Sequence, residues 1–251
     1  LIEKMAPLDP ASIKSLKAKD LSVLSMEEFD QIYARLGSGP MPLGDYKGYI
    51  LQKPQLYNSI RQRLLKMTKV ALLADKVVSA TCGKSSEDCL FEIIWNGKRF
   101  MPKDDMDQVE AMTTINPATT ASKFTGILPD FIEKGVDKVL GFTDQLFDHA
   151  SLTQYPMHAY CGISQVDVRR ESIITDASYA DDFSNYIGLR DEVITRKGLN
   201  ITEEYRMVRP GLYIGKVYSN KLFLFNLAIE MSGTSIPTET KNECTDGTKT
   251  R

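Results

Sequence analysis

The densest set of titratable side chains lies between residues 176 and 192. Paired carboxylates beside an arginine could carry out general acid and base chemistry. The members of this acidic cluster are Asp176, Asp181, Asp182, Arg190, Asp191 and Glu192. A charge-rich loop that is simply solvated has the same composition, and the pattern favours that interpretation.

The two histidines are the next candidates for proton transfer. His149 and His158 flank Tyr155-Pro156, and either imidazole could lie near a carboxylate such as Asp148. His149 also falls at the end of a predicted helix, where a cation is stabilised by the negative end of the dipole. No serine has a Gly-x-Ser-x-Gly frame. The sequence therefore predicts no catalytic residue.

Four cysteines bear on both metal binding and cell compartment. Cys82 and Cys89 bracket a small polar loop, Cys161 lies in an apolar segment, and Cys244 lies in the polar tail. This spacing, with only two histidines, fits a zinc site poorly, and we expect neither metal nor cofactor. Two disulfides, Cys82–Cys89 and Cys161–Cys244, are favoured over four free cytosolic thiols. They predict an extracytoplasmic protein, secreted or periplasmic.

Aromatic side chains fall largely within predicted strands, where alternate positions point inwards. They could line a ligand cavity or fill a solid interior. Arg209 precedes the last two strands and could hold a carboxylate or phosphate head group. The predicted ligand-binding residues are Tyr46, Trp95, Tyr160, Arg209, Tyr213, Tyr218, Phe223 and Phe225.

The elements that must position these residues are clearest near the end of the chain. Residues Leu212–Tyr218 and Leu222–Ile229 are predicted strands, and the polar Ser219-Asn220-Lys221 between them predicts a tight turn. A hairpin of this kind is not stable alone, so further strands must cover its apolar faces. The pattern predicts a sheet or barrel closed by this hairpin.

Upstream, Ser25 and Glu28 form a capping box that predicts a helix ending near Gly37. Helical spacing of apolar residues predicts two long amphipathic helices, Gln55–Ala80 and Ile127–His149. Residues 103–125 carry no clear signal, and 181–204 are predicted to be a charged crossover. Further strands are predicted at Asp45–Gln52, Cys89–Met101, Met157–Val168 and Glu171–Tyr179.

Short polar links between the late strands favour antiparallel neighbours. We therefore predict an α+β fold, an antiparallel, partly closed β-barrel of six to eight strands with the two long amphipathic helices packed on it. The predicted divisions are an N-terminal helical extension over 1–44, the barrel domain with helical insertions over 45–236, and a polar tail over 237–251.

Composition excludes several classes of protein. The 251 residues are 42% apolar and carry a net charge of -2 with no basic run, so nucleic acid is not an expected partner. Apolar runs stay below about ten residues, short of the roughly 20 that a membrane-spanning helix needs. The chain begins at Leu1 rather than Met, from which we expect that a leader was cleaved or the chain trimmed.

Four blocks of sequence carry a resemblance to known proteins: Ile93–Phe100, Glu171–Ser178, Leu189–Val193 and Val208–Tyr218. They resemble a group of largely uncharacterised bacterial exported proteins with a lipocalin-like barrel. The resemblance covers roughly the last two thirds of the chain and implies a barrel with a lipid-like ligand. It implies no reaction.

These observations predict a non-catalytic exported protein that binds a hydrophobic or amphipathic small molecule. One alternative is a hydrolase or isomerase that uses the acidic cluster with a histidine. The other is an exported protein whose helix Gln55–Ala80 binds a protein or another macromolecule.

Overall fold

The computed structural model describes residues 9–52, 95–102, 109–114, 153–232 and 244. Their strands are β1 Gly44–Ile50, β2 Gly97–Pro102, β3 Val109–Thr114, β4 Thr153–Ile163, β5 Glu171–Asp176, β6 Ile201–Arg209, β7 Leu212–Ser219 and β8 Leu222–Met231. The α-helices are α1 Pro10–Ser15, α2 Met26–Tyr33 and α3 Gly188–Asp191. Shorter 3-10 helices cover Ala18–Val23, Ala180–Asp182 and Glu192–Ile194.

The strands form a closed antiparallel barrel in which each strand lies beside the next. The ring is completed by β1 and β8, which pair from Tyr46 opposite Met231 to Ile50 opposite Leu227. The predicted antiparallel barrel is thus confirmed, although it is fully rather than partly closed. Closure matters for stability because it pairs the edges that an open sheet would expose.

The predicted closing hairpin is confirmed. Strands β7 and β8 pair from Leu212 opposite Glu230 to Ser219 opposite Leu222. Asn220 and Lys221 between them have φ values of 48° and 67°. Positive φ at both central residues is the mark of the type I′ turn, whose twist matches that of the flanking strands.

Two strands lie where the sequence predicted none. Strand β6 overlaps the predicted crossover 181–204, yet it pairs with β5 on one side and β7 on the other. Its charged residues Glu203, Glu204 and Arg206 gave it the character of a solvated loop, but all three are buried. Strand β3 lies inside 103–125, a segment without a clear signal.

Several predicted boundaries also shift. Strand β4 ends at Ile163 rather than Val168, and β5 ends at Asp176 rather than Tyr179. The predicted strand Cys89–Met101 is described only from residue 95, and β2 begins at Gly97. The long helices Gln55–Ala80 and Ile127–His149 lie outside the described residues, and within the described part α2, with 8 residues, is the longest α-helix.

The N-terminal segment packs on the outer wall of the barrel. Helix α2 begins with the predicted capping box, in which Glu28 N donates to Ser25 Oγ and Ser25 N donates to a Glu28 carboxylate oxygen. Its buried Phe29 and Tyr33 join a core cluster with Leu212 and Ile214 of β7. This packing covers the outer face of β7, so that both faces of that strand are buried.

The chain forms two compact units. The first contains Leu1–Gln55, Gly97–Met112 and Tyr155–Arg251, and the second contains Leu56–Asn96 and Thr113–Gln154. Described residues of the second unit are 95–96, 113–114 and 153–154. Within it, Asn96 N donates to Thr114 O at 2.8 Å.

A disulfide joins β4 to the C-terminal tail. Cys161 bonds Cys244, as predicted, with a Cα–Cα distance of 5.5 Å. Cys244 is buried, and its carbonyl oxygen accepts a hydrogen bond of 3.0 Å from Ser38 Oγ. Cys82 and Cys89, the other predicted pair, lie outside the described residues.

In the part of the chain that the structure describes, no helix is both long and apolar enough to cross a bilayer.

Gly97 should be intolerant of a side chain. A Cβ placed there would meet the carbonyl oxygen of Tyr46 on β1, which is backbone and cannot rotate away. We expect Gly97→Ala to lower the free energy of unfolding by about 1 to 3 kcal/mol, the range for overpacking. Gly37→Ala is the control, because no atom lies within 4 Å of its added Cβ. Equal stabilities of the two variants in urea unfolding would contradict this close contact.

Candidate functional site

The most unusual feature of the barrel is an ion pair buried in its lumen. Lys98 lies on β2 and Glu203 on β6, which are four strands apart in either direction round the ring. Contact between such strands must cross the lumen. The Lys98 Nζ to Glu203 Oε2 distance is 3.1 Å, and the two side chains are 0% and 6% exposed.

Two hydroxyl groups, one on β5 and one on β6 itself, hold the Glu203 carboxylate in place. Thr175 Oγ1 on β5 and the hydroxyl of Tyr205 on β6 each donate a hydrogen bond of 2.6 Å to Glu203 Oε2. On the other side of the pair, Lys98 Nζ lies 2.9 Å from the thioether sulfur of Met157 on β4. Strands β2, β4, β5 and β6 therefore each contribute a side chain to one buried network, which we call the lumen network.

Aromatic rings lie beside this network. Tyr46 is the register partner of Lys98, and its ring meets those of Phe100 and Tyr213 edge to face, with centroids 5.7 and 5.8 Å apart. Phe100 in turn meets Tyr205 across the barrel at 6.3 Å. This geometry is the favourable one for aromatic pairs. The lumen thus combines a charged centre with an apolar ring layer.

Burial changes the acid–base properties of the network. Desolvation lowers the pKa of the Lys98 ammonium, and the opposing attraction of Glu203 does not cancel this effect. Desolvation, followed by the charge of Glu203, raises the pKa of Tyr205 well above its ordinary value. A lysine amine and a glutamate carboxylate in one dry site can exchange a proton, and the amine can also act as a nucleophile.

Three of the predicted ligand-binding residues face the lumen. Tyr46 and Tyr213 belong to the ring layer, and the Tyr213 hydroxyl donates to Pro40 O at 2.9 Å. Phe225 is the register partner of Val217, which pairs in turn with Glu203. Register partners share a face of the sheet, so Phe225 faces the lumen as well.

Two predicted residues, Tyr218 and Phe223, face outward. Tyr218 lies five positions after Tyr213 on β7, so plain alternation places it on the opposite face. On β8 a β-bulge at Leu224 shifts the register, and Phe223 pairs with Tyr218 rather than sharing the lumen face with Phe225. Their rings meet at 6.1 Å on the outer wall, where Lys216 Nζ lies 4.9 Å from the Phe223 ring. Lys216 also forms an ion pair with Asp30 of α2. These rings support the docking of α2.

Arg209 and Tyr160 are not in the lumen either. Arg209 forms an ion pair of 2.6 Å with Glu230 and donates to Leu16 O at 2.9 Å, which fastens the N-terminal segment. Tyr160 is 43% exposed on the barrel surface. Trp95 is half-buried and belongs to the second unit.

The acidic cluster is spread over the connection from β5 to β6. Asp181 pairs with Arg196 at 2.9 Å, and Asp191 accepts a hydrogen bond of 2.8 Å from Ile187 N. Asp176 accepts one of 2.8 Å from Ser178 N. Asp182 and Glu192 are exposed, and Arg190 lies in α3. The carboxylates with described contacts fasten turns of this connection.

Of the two histidines, the structure describes only His158. His158 lies on β4, is the register partner of Asp176, and packs against Phe183 with ring centroids 4.3 Å apart. His149 lies outside the described residues. Among the residues that are described, no group of three or more His, Cys, Asp and Glu side chains could hold a metal ion.

Sequence reasoning missed the lumen network, which consists of Lys98, Met157, Thr175, Glu203 and Tyr205. One signal was present. Strand alternation places Lys98 on the same face as Phe100, an aromatic residue expected to point inwards. Glu203 offered no such signal because its strand was not recognised.

Comparison of the chain with protein-family models, with curated proteins and with solved structures gave no match.

The buried tyrosines predict loss of stability at high pH. Burial raises the pKa of Tyr46 from 10.0 to about 12, and it raises the pKa of Tyr205 and Tyr213 as well. Above about pH 10 the unfolded chain therefore releases protons that the folded chain keeps, and stability falls as pH rises. Each such tyrosine should lower the free energy of unfolding by about 1.4 kcal/mol per pH unit until it ionises in the folded state.

Urea unfolding at a series of alkaline pH values measures this slope. From about pH 10 to about pH 12, unfolding of the wild type should release about one more proton than unfolding of Tyr46→Phe. The stability of the variant should therefore fall less steeply with pH, by about 1.4 kcal/mol per pH unit. A variant with the wild-type slope would show that Tyr46 ionises equally in the folded and unfolded states.

Proposed function

We propose that the chain is a non-catalytic, exported protein whose barrel lumen binds an amphipathic small molecule. In this proposal the lumen network meets the polar group of the ligand, and the ring layer meets its apolar part. The proposal rests on one observation above all, the Lys98–Glu203 ion pair that crosses the lumen with almost no exposure to solvent.

The energetics of a buried ion pair support a functional rather than a stabilising role for Lys98 and Glu203. Burying two charges is costly, and replacing a buried pair by apolar residues is often neutral or stabilising. Stability alone therefore gives little reason to place a lysine and a glutamate at the centre of a largely apolar lumen. Desolvated charged groups with perturbed pKa values are typical of functional sites.

The ring layer supports an amphipathic rather than a fully polar ligand. Sites for small molecules are mostly apolar and contain a few placed polar groups. Tyr46, Phe100 and Tyr213 provide the apolar part next to Lys98. The resemblance to exported lipocalin-like proteins points to the same class of ligand.

Export is supported by the Cys161–Cys244 bridge, because structural disulfides persist mainly in oxidising compartments. Protein isolated without reductant should have neither of these two thiols available to an alkylating reagent after denaturation. Full alkylation of both cysteines would argue against export.

The two alternatives find less support in the described residues. The acidic cluster takes part in turn-fastening contacts such as Asp181 with Arg196 and Asp191 with Ile187 N. The helix Gln55–Ala80, on which a macromolecular partner was expected to bind, lies outside the described residues.

Native mass spectrometry after incubation with dodecanol, with dodecane as the comparison, tests the proposal. We expect dodecanol to bind one molecule per chain and more tightly than dodecane, since only the alcohol can hydrogen-bond to the lumen network. Lys98→Met should weaken dodecanol binding about tenfold or more, the effect of losing a buried hydrogen bond to a charged group.

Arg99→Met is the matched control, because Arg99 lies next to Lys98 but pairs with Asp45 on the outer surface. It should bind dodecanol as the wild type does. Absence of any bound ligand in the wild type, or equal binding by the two variants, would contradict the proposal.

A further inference from the structure

We infer that Lys98 forms an imine with a ligand that carries an aldehyde or ketone group on an apolar tail. This inference rests on the proposed function, since it names the ligand class for the same lumen. Three observations carry it: a primary amine buried in the lumen, a carboxylate 3.1 Å from that amine, and aromatic rings on the adjacent positions.

The surroundings of Lys98 suit an amine nucleophile. Only the neutral amine attacks a carbonyl carbon, and desolvation at 0% exposure favours that form. The same lack of solvent protects an imine, once it has formed, from hydrolysis by bulk water.

Glu203 can serve both as the proton acceptor and as the counterion. Its Oε2 lies next to Lys98 Nζ and is held by hydrogen bonds from Thr175 and Tyr205, so the carboxylate is fixed before a ligand arrives. As the ammonium passes its proton to Glu203, the two opposite charges are neutralised together. No isolated charge then remains in the dry lumen.

The reaction balances without an oxidant or a reductant. The neutral Lys98 nitrogen forms a bond with the carbonyl carbon as the carbon–oxygen π bond breaks, and a proton from that nitrogen passes to the oxygen to give a neutral carbinolamine. Loss of that oxygen as water, with a proton supplied by Glu203, leaves a carbon–nitrogen double bond. The protonated imine carries one positive charge on nitrogen, as the ammonium did, so it preserves the ion pair with Glu203.

This charge balance selects the ligand class. A ligand carboxylate would add a second anion beside Glu203, and like charges in a low-dielectric site repel strongly. A neutral carbonyl group adds no charge when it binds and leaves the cation in place when it reacts. The ring layer at Tyr46 and Phe100 would then contact the apolar tail.

The test uses the full chain, dodecanal as the probe and sodium cyanoborohydride to reduce any imine to a stable secondary amine. Intact mass should show one added dodecyl group, and peptide mapping should locate it at Lys98. Because desolvation lowers the pKa of the Lys98 amine, labelling should be faster at Lys98 than at exposed Lys47. Excess dodecanol should compete with labelling of Lys98 only.

Lys98→Arg keeps a cation beside Glu203 but cannot form the imine, so it should lose this label, whereas Lys47→Arg should keep it. If Lys98→Arg does not fold, the ratio of labelling at the two lysines in the wild type decides the question. Equal labelling of Lys98 and Lys47 would overturn the inference that Lys98 forms an imine. So would dodecanal that binds, is displaced by dodecanol and yet gives no reduction product at Lys98, although this result would leave the proposed function standing. If neither compound bound, both the imine and the proposed function would be overturned.

Discussion

Replacing Glu203 by alanine is expected to lower the free energy of unfolding by about 3 to 5 kcal/mol, the cost of breaking a buried ion pair. The substitution removes the carboxylate 3.1 Å from Lys98 Nζ and leaves a fully buried ammonium to be solvated by the lumen alone. It also removes the acceptor from the hydroxyl groups of Thr175 and Tyr205. Urea unfolding followed by circular dichroism measures the change.

Two further variants separate the effect of burial from that of charge. Asp45→Ala removes the Arg99 ion pair on the outer surface, where the side chains are 40% and 50% exposed, and should cost less than about 1 kcal/mol. Changing Lys98 to methionine and Glu203 to leucine together should restore most of the lost stability, because no unpaired charge remains. A cost for Glu203→Ala no greater than that for Asp45→Ala would contradict a desolvated pair.

Removing the disulfide should have an effect of similar size. With both Cys161 and Cys244 changed to serine, the free energy of unfolding should fall by about 4 to 5 kcal/mol on the chain-entropy model. The bridge closes a loop with a sequence separation of 83 residues, so its loss greatly increases the conformational freedom of the unfolded chain. Urea unfolding of the double variant and the wild type, both without reductant, gives the difference.

Ser38→Ala is the control for local contacts around the tail. It removes only the hydrogen bond from Ser38 Oγ to Cys244 O and should cost about 1 kcal/mol. If the double serine variant lost no more stability than Ser38→Ala, the cross-link would not stabilise the protein by restricting the unfolded chain.

Local signals in the sequence predicted several elements correctly. Asn220 and Lys221 tolerate the positive φ of the closing turn, and the strands on either side of them follow directly from their β-branched and aromatic residues. The capping box at Ser25 likewise marks the start of α2 by a hydrogen-bond pattern confined to four residues. Features of this kind are predictable because their causes lie within a few residues.

Strand β6 could not be predicted in this way because its polar residues form hydrogen bonds with distant partners. Glu204 accepts hydrogen bonds from Ser164 Oγ and Gln165 N, and Arg206 donates to Tyr33 O and Ser172 Oγ. Those partners come from the β4–β5 connection, β5 and α2. A charged strand is stable only in their presence, and sequence periodicity does not show them.

The face of the sheet on which each aromatic residue lies could be predicted only in part, for a similar reason. Alternation predicts which face of a strand is buried only when the other face meets water. The N-terminal segment covers the outer face of β7, so Tyr213 in the lumen and Tyr218 on the outer wall are both buried. On β8, the bulge at Leu224 places Phe223 on the opposite face from Phe225, and the sequence carries no clear mark of it.

A crystal structure of the protein grown with dodecanol would show whether the lumen binds such a ligand. We expect one ligand molecule in the lumen, with its hydroxyl within hydrogen-bonding distance of Lys98 Nζ or a Glu203 carboxylate oxygen and its chain against the rings of Tyr46 and Phe100. Dodecanol found only on the outer surface, around a lumen filled by its own side chains, would contradict binding in the lumen.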